Sequence, residues 1–325
     1  MKVLSILLFT FSGAFFSCGN AQKTNMNTTH TPMQCDPVSG VCNLPETDGM
    51  SGTPTTPKAI RIVYATDPIC SACWAIEPQL RRLKLEYGHA LQIDYVMGGL
   101  LPDWSYNRGG ISKPSDVAHH WDEVSDYYQM PIDGDLWLED PLDSSYPPSV
   151  AFKAAQLQGE AAALRMLRIL REMVFLEKKN IARKRYMTEA AERAGLDVEQ
   201  WLKDYDTQAR ALFDADMKQV RDLRVPGFPT LVMMNDKGES VYLTGVKPYA
   251  EYVSAIRQLY PAINAQSYDK SAKTLFSRFP TMTLREYAEL SQQTMADAQK
   301  DLDHLHEAKL ISPLTIKNGV LWKWK

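Results

Sequence analysis

Apolar and polar residues alternate with two different periods along this chain. Residues 60–65 form an apolar run that predicts a strand, and residues 91–96 alternate between apolar and polar as a second strand would. Between the two runs, Ile76, Leu80, Leu83 and Tyr87 recur at helical spacing. A strand, a helix and a strand in this order predict a right-handed crossover and a parallel strand pair.

Further along, the pattern becomes helical for about a hundred residues. Within residues 112–222, Leu164, Leu167, Leu170 and Val174 recur at helical spacing, as expected for the core of a helical bundle. Residues 230–234 and 239–244 then predict two strands joined by the turn at 235–238, and residues 249–259 predict a helix. The last segment predicts two helices, at 283–291 and 292–308, and a hairpin turning at Asn318-Gly319.

A Cys-Ser-Ala-Cys motif lies where the first predicted strand meets the first predicted helix. Cys70 would stand at the helix N-terminus, where the free N–H groups and the helix dipole favour a thiolate. Cys73 lies one turn further along, where it could close an internal disulfide and release a bound partner. An isolated Cys-x-x-Cys can also be half of a zinc site, so the motif alone leaves both interpretations open.

The second motif is Val-Pro-Gly-Phe-Pro-Thr at residues 225–230, directly before a predicted strand. With the Cys-x-x-Cys motif, it resembles the thioredoxin superfamily, and the long helical stretch between the motifs resembles its DsbA-like branch. Residues 67–78, from Asp67 to Pro78, are most similar to those of the FrnE-like proteins and the Spx-adaptor (YjbH) group. The resemblance spans about residues 58–325, and the agreement of both motifs argues against the zinc interpretation.

This resemblance implies a fold and a site. The fold would be an α/β thioredoxin-like domain over residues 59–265 with a helical insertion at 112–222. Separately, the order of two helices and a hairpin is similar to a small winged-helix-like module at 266–325, either a protein-contact module or a cap on the thioredoxin-like domain. Cys70 would be the nucleophile and Cys73 the resolving thiol, and Phe228, Pro229 and Thr230 would form a cis-proline loop that binds substrate beside them. Asp67 and Glu77 are candidate proton-handling carboxylates, although either could equally be a turn or surface charge. No cofactor and no metal site is implied.

The N-terminus predicts export. Lys2 precedes a nearly unbroken apolar run from Val3 to Phe16, which is too short to span a membrane and typical of a secretory signal over residues 1–18. Ser17-Cys18 resembles the lipoprotein cleavage site, at which Cys18 would carry a lipid anchor, although Phe15 departs from that pattern. Cleavage after Ala21 is the alternative and would release a soluble exported protein. Either outcome predicts the periplasm or cell envelope, with membrane contact only through the lipid.

Residues 19–58 have the composition of a flexible tether, rich in Thr, Asn, Pro and Gly. Two further cysteines, Cys35 and Cys42, enclose turn residues within it. They could form a local disulfide, act as a second redox pair that exchanges with Cys70 and Cys73, or bind a metal together with His30. The sequence leaves these three alternatives open.

Charge limits the possible partners. The formal net charge is -3 at pH 7, and the last segment balances its basic and acidic residues, so its winged-helix pattern lacks a nucleic-acid footprint. The expected partners are protein thiols and disulfides together with an unidentified redox partner.

From the motifs, the resemblance and the predicted export, we expect an extracytoplasmic thiol-disulfide oxidoreductase. The alternative is a redox-responsive adaptor that uses the same fold to hold a protein partner without turnover.

Overall fold

The structure is a computed structural model that describes residues 58–105 and 111–325, together with the backbone of two short strands at 34–35 and 42–43. Its contacts divide the chain into two units, Met1–Thr55 and Thr56–Lys325. In the first unit, β1 (Gln34–Cys35) pairs with β2 (Cys42–Asn43) in antiparallel register, so that the backbone of Cys35 lies opposite that of Cys42. The roles predicted for this cysteine pair stay predictions.

The second unit contains all the remaining elements that the structure describes. Its strands are β3 (Ile60–Thr66), β4 (Leu91–Met97), β5 (Thr230–Asn235), β6 (Ser240–Thr244), β7 (Thr281–Thr283), β8 (Ile311–Ile316) and β9 (Gly319–Trp324). Its helices are α1 (Ser71–Ala75), α2 (Glu77–Tyr87), α3 (Pro114–Tyr128), α4 (Leu136–Glu139), α5 (Tyr146–Gln156), α6 (Glu160–Phe175), α7 (Lys184–Arg193), α8 (Val198–Thr207), α9 (Ala209–Asp222), α10 (Tyr249–Leu259), α11 (Ala272–Arg278), α12 (Leu284–Ser291) and α13 (Met295–Glu307).

A four-stranded sheet in the order β4-β3-β5-β6 organises the main part of this unit. Strands β3 and β4 are parallel, as the sequence predicted, whereas β5 is antiparallel to both β3 and β6. Alternate side chains of β3 enter two cores: Ile62 and Tyr64 join the larger core, and Val63 and Ala65 join a smaller core on the other face. Together with helices α3–α9 between β4 and β5, this sheet confirms the thioredoxin-like fold with a helical insertion.

The helical segment predicted after the first strand is divided in two next to Pro78. Helix α1 ends at Ala75, and α2 begins at Glu77 with Pro78 in its first turn. A proline has no N–H group, so Pro78 cannot donate the helical hydrogen bond to the carbonyl of Trp74. The axis therefore breaks at Ile76, which keeps α1 as a short turn carrying both cysteines.

The C-terminal segment forms a three-stranded antiparallel sheet in the order β7-β9-β8, with α12 and α13 between β7 and β8. It has its own core, in which Leu275, Phe276, Leu290 and Leu302 are completely or almost completely buried. Leu85 of α2 belongs to the same core, so the segment packs directly on the helix that follows the cysteines. The boundary predicted at residue 265 stays a prediction.

Buried ion pairs connect this segment to helices α2 and α6. Thr283 and Glu286 form a capping box at the start of α12, and Glu286 is fully buried. Its carboxylate accepts hydrogen bonds from Arg168 of α6, at 2.6 and 3.1 Å, and lies 3.3 Å from Arg81 of α2. A buried carboxylate is stable only when it is paired, so these contacts tie α12 to the two helices around the dithiol site.

The helices that the structure describes were also searched for membrane spans. None of them is both long and apolar enough to cross a bilayer.

Candidate dithiol site

The two cysteines of the motif form a contact pair at the start of α1. Cys70 is the N-cap residue, and its Sγ accepts a hydrogen bond from the backbone N–H of Cys73 at 3.2 Å. Both are free thiols, and Cys70 is only 4% exposed while Cys73 is fully buried. Only a small part of Cys70 can therefore be reached from solvent.

A cysteine at a helix N-terminus is expected to have a lowered thiol pKa, but the pKa of Cys70 is raised. Burial raises the pKa of the Cys70 thiol, and its hydrogen bond and proximity to Cys73 raise it further. Burial also acts to raise the pKa of Cys73, but the hydrogen bond from Cys70, the positive charge of Arg171 and a hydrogen bond from Thr66 together lower it. When the pair loses one proton, the directions of both pKa shifts favour the negative charge on Cys73 over Cys70.

Arg171, the source of this positive charge, is a functional residue that the sequence analysis missed. It is 1% exposed, donates to the hydroxyl of Thr66 at 2.7 Å, and forms a short ion pair with Glu77. It lies on the buried face of α6, between Leu167 and Val174 of the apolar stripe. A charged residue at a position where that stripe predicts core is the signal that could have identified it.

The predicted cis-proline loop lies beside Cys70. The peptide bond between Phe228 and Pro229 is cis, as the resemblance to the thioredoxin superfamily implied. The Phe228 ring packs so closely on Gly98 that a Cβ atom there would lie 1.9 Å from the ring, so this contact requires glycine at position 98.

Of the three loop residues, only Phe228 lines the cavity that contains Cys70. The carbonyl of Pro229 accepts a hydrogen bond from the Gly245 N–H at 2.8 Å, and the hydroxyl of Thr230 donates to the Gly227 carbonyl at 2.8 Å. Pro229 and Thr230 therefore support the loop from within the fold.

An apolar pocket of about 240 Å³ opens next to Cys70. Besides Cys70 and Phe228, its walls are formed mainly by apolar side chains of the insertion and of the loop before it, chiefly Leu100, Leu101, Trp104, Ile111, Val117, Trp121 and Trp137. Trp137 packs edge-to-face against both Trp104 and Trp121. We call this cavity the apolar pocket; the sequence analysis did not assign its tryptophans, because aromatic residues in a helical segment predict core.

Asp67 connects the cysteine turn to the wall of the apolar pocket. Its buried carboxylate accepts hydrogen bonds from the N–H of Ile69 at 3.0 Å, the N–H of Leu100 at 2.8 Å and the hydroxyl of Ser145 at 2.9 Å. Burial raises the pKa of Asp67 to about 6, and the three hydrogen bonds offset only part of that effect. Glu77, the other candidate proton carrier, is instead engaged in ion pairs with Arg171 and Arg81.

The side chains of the other predicted sites lie outside the residues that the structure describes. Cys18 lies outside the described residues, as do the side chains of Cys35 and Cys42. Among the residues that the structure does describe, no cluster of three or more His, Cys, Asp or Glu side chains could hold a metal ion.

Comparisons with known proteins support the thioredoxin-like fold described above. A family model described as thioredoxin matches residues 64–254. The chain is 33% identical over 296 residues to the ClpXP adapter protein SpxH of Halalkalibacterium halodurans, covering 89% of this chain and 96% of that protein. It is 30% identical over 304 residues to the protein of the same name from Shouchella clausii, covering 92% and 99% of the two chains.

Among solved structures, the chain resembles a protein from Nitrosomonas europaea named as a candidate protein disulfide isomerase. The TM-score is 0.53 at 19% identity, and the match covers 63% of this chain and 97% of that one. At this level of identity, the likeness shows the shared fold alone.

The buried carboxylate of Asp67 predicts a specific pH dependence of stability. Burial raises its pKa from an ordinary value of about 3.8 to about 6 in the folded chain, so the folded state binds this proton more tightly than the unfolded state. Ionisation of Asp67 therefore lowers the free energy of unfolding as pH rises from about 4 to about 6, by about 3 kcal/mol in total.

Urea unfolding of the wild type and of Asp67→Asn, which cannot ionise, measures this effect. The wild type should lose stability relative to the variant across that pH interval, with a constant difference above about pH 7. A difference that does not change with pH would contradict the assignment.

Proposed function

This chain belongs to the thioredoxin family, in its DsbA-like branch, and from that premise we propose that Cys70 exchanges disulfides with a cysteine of a bound protein partner. The observation that carries the proposal is the dithiol pair at the start of α1, with Cys70 facing the apolar pocket and Arg171 stabilising charge on Cys73. A thiol held at the edge of a pocket can reach a partner's sulfur, while the second thiol stays protected behind it.

The exchange begins with a proton transfer inside the pair. The Cys73 thiolate accepts the proton of the Cys70 thiol, and the Cys70 thiolate so formed attacks one sulfur of the partner's disulfide. The bond between the partner's sulfurs breaks, and the departing sulfur leaves as a thiolate. It takes the proton from Cys73, whose thiolate then attacks Cys70 and releases the second partner thiolate, which is protonated by solvent. The pair has become a disulfide, and the partner has gained two electrons.

The apolar pocket recognises the partner protein. Its wall of tryptophan and leucine side chains fits an apolar residue next to the reacting cysteine of the partner. The same steps run in reverse when the Cys70–Cys73 disulfide meets a reduced partner, so the direction of exchange depends on the partner's potential.

A second candidate function is the holding of a protein partner without turnover, as an adaptor. It is favoured by the likeness to the proteins named ClpXP adapter protein SpxH, which extends over 96% of the Halalkalibacterium protein and is not confined to the thioredoxin-like part. The near-complete burial of both thiols is also compatible with a pair that serves only as a redox switch.

The location of the chain is a separate proposal, supported by its N-terminal residues alone. We propose export to the periplasm or cell envelope with a lipid on Cys18, because an apolar run of signal length precedes Ser17-Cys18. Labelled fatty acid should be incorporated into the wild type and not into Cys18→Ser. Incorporation into neither protein, with cleavage after Ala21, would leave the soluble exported form.

Cysteine variants test the proposed exchange directly. Cys70→Ser should reduce insulin disulfides no faster than the uncatalysed reaction, because it lacks the attacking thiol. Cys73→Ser should form a lasting mixed disulfide between Cys70 and an oxidised protein probe, because the resolving thiol is gone. Peptide mass spectrometry of the trapped species identifies the linked cysteines.

The double variant Cys35→Ser with Cys42→Ser is the matched control, since it makes the same chemical change at the other cysteine pair. When combined with Cys73→Ser, it should still give the mixed disulfide at Cys70. If the wild type and Cys70→Ser reduce insulin at the same rate and no mixed disulfide forms, the exchange proposal is wrong and the adaptor function replaces it.

A further inference from the structure

A second cavity, distinct from the apolar pocket, lies between α2, α6 and the C-terminal segment. Its volume is about 490 Å³, and 18 residues line it. Eight of them are arginine or lysine and only two are glutamate, so the lining is strongly basic although the whole chain carries a net charge of -3. We call it the basic cavity.

Half of these cations are neutralised by the ion pairs that join the surrounding helices. The buried arginines Arg81, Arg168 and Arg171 share the three carboxylates Glu77, Glu172 and Glu286. Arg193, at the side of the cavity, is paired mainly with Glu177 and Glu189. These four arginines and their carboxylate partners therefore contribute little net charge to the cavity.

The other four cations have no carboxylate at salt-bridge distance in the part of the chain that the structure describes. Lys84 donates to the hydroxyl of Tyr95 at 2.8 Å and Arg165 to the carbonyl of Ala194 at 3.1 Å, both uncharged acceptors. Arg278 and Lys323 are exposed residues of the C-terminal segment. Four uncompensated positive charges around one concavity create a local potential that attracts anions.

Arg171 also lines the basic cavity. Arg171, which is 1% exposed, leaves its Nε without a hydrogen-bond partner in the structure, although its two other nitrogens donate to Glu77 and Thr66. This nitrogen has almost no accessible surface, so Arg171 acts on an anion in the cavity through its charge and not through a direct hydrogen bond from Nε.

Size and donor type define the ligand class. The volume is in the range of small-molecule sites. Guanidinium groups bind phosphate oxygens with two parallel hydrogen bonds, and a group with several negative charges is needed to offset four cations. We propose that the basic cavity binds a small oxyanion of the phosphate class that carries two or more negative charges.

Calorimetric titration of the full chain with inorganic pyrophosphate at low ionic strength tests the site. Pyrophosphate should bind with one-to-one stoichiometry, and the affinity should fall with added salt because the contacts are ionic. Replacing the two exposed cations, in Arg278→Ser with Lys323→Ser, should weaken binding about tenfold or more. Both positions are on the surface, and the far-ultraviolet circular dichroism of the variant should match that of the wild type.

Lys237→Ser is the matched control, because Lys237 is an exposed lysine in the turn between β5 and β6. It should leave pyrophosphate affinity unchanged. Equal weakening by this control would show non-specific attraction and overturn the proposal, as would the absence of binding at millimolar pyrophosphate.

Two further titrants separate the sources of phosphate and exclude a peptide. If adenosine diphosphate binds more tightly than pyrophosphate, the site is supported and its occupant is a nucleotide. If adenosine diphosphate binds more weakly than pyrophosphate, the site is supported and its occupant is a phosphate compound without a nucleoside. Hexaglutamate binding in place of pyrophosphate would overturn the proposal and assign the cavity to an acidic peptide of a partner. The cysteines take no part in these titrations, so their outcome is independent of the exchange proposal.

Discussion

A buried guanidinium must be paired, and in this chain that requirement at Arg171 determines how the site is assembled. Arg171 is nearly inaccessible to solvent, so its charge is tolerated only because Glu77 and Thr66 receive its hydrogen bonds. Glu77 follows the cysteine turn and Thr66 ends the strand before it. The same ion pair therefore fixes the position of α6 relative to both sides of the dithiol motif.

The ion pairs continue into the C-terminal segment. Glu77 also contacts Arg81, Arg81 contacts Glu286, and Glu286 caps α12 as well as accepting from Arg168. The segment is thus held to α2 and α6 by charges that burial prevents water from replacing. These ion pairs form a continuous series from Glu286 of the segment through Arg81 and Glu77 to Arg171, whose charge acts on Cys73.

Much of the fold was predictable because its signals are local. The strand at residues 60–66, the turn at 235–238 and the helix at 249–259 follow from apolar period and turn residues, and the structure confirms them. The position of Cys70 followed from its motif, and the cis bond before Pro229 was implied by the resemblance to the thioredoxin superfamily. The charge of Arg171 within an apolar stripe marks its position in the sequence, but its partners Glu77 and Thr66 could not be predicted, because they are tertiary contacts. The higher pKa of Cys70 arises from burial that no local pattern reveals.

The central claim is that the charge of Arg171 stabilises a thiolate in the dithiol pair. Ultraviolet thiolate absorbance of the reduced chain, followed against pH, measures this most directly in the wild type, in Arg171→Met and in Arg165→Met, a control on an exposed position of the same helix. We predict that the first thiol ionises at a higher pH in Arg171→Met than in the other two proteins, because the positive charge beside Cys73 has been removed. Superimposable ionisation curves for all three, in folded protein, would contradict the account.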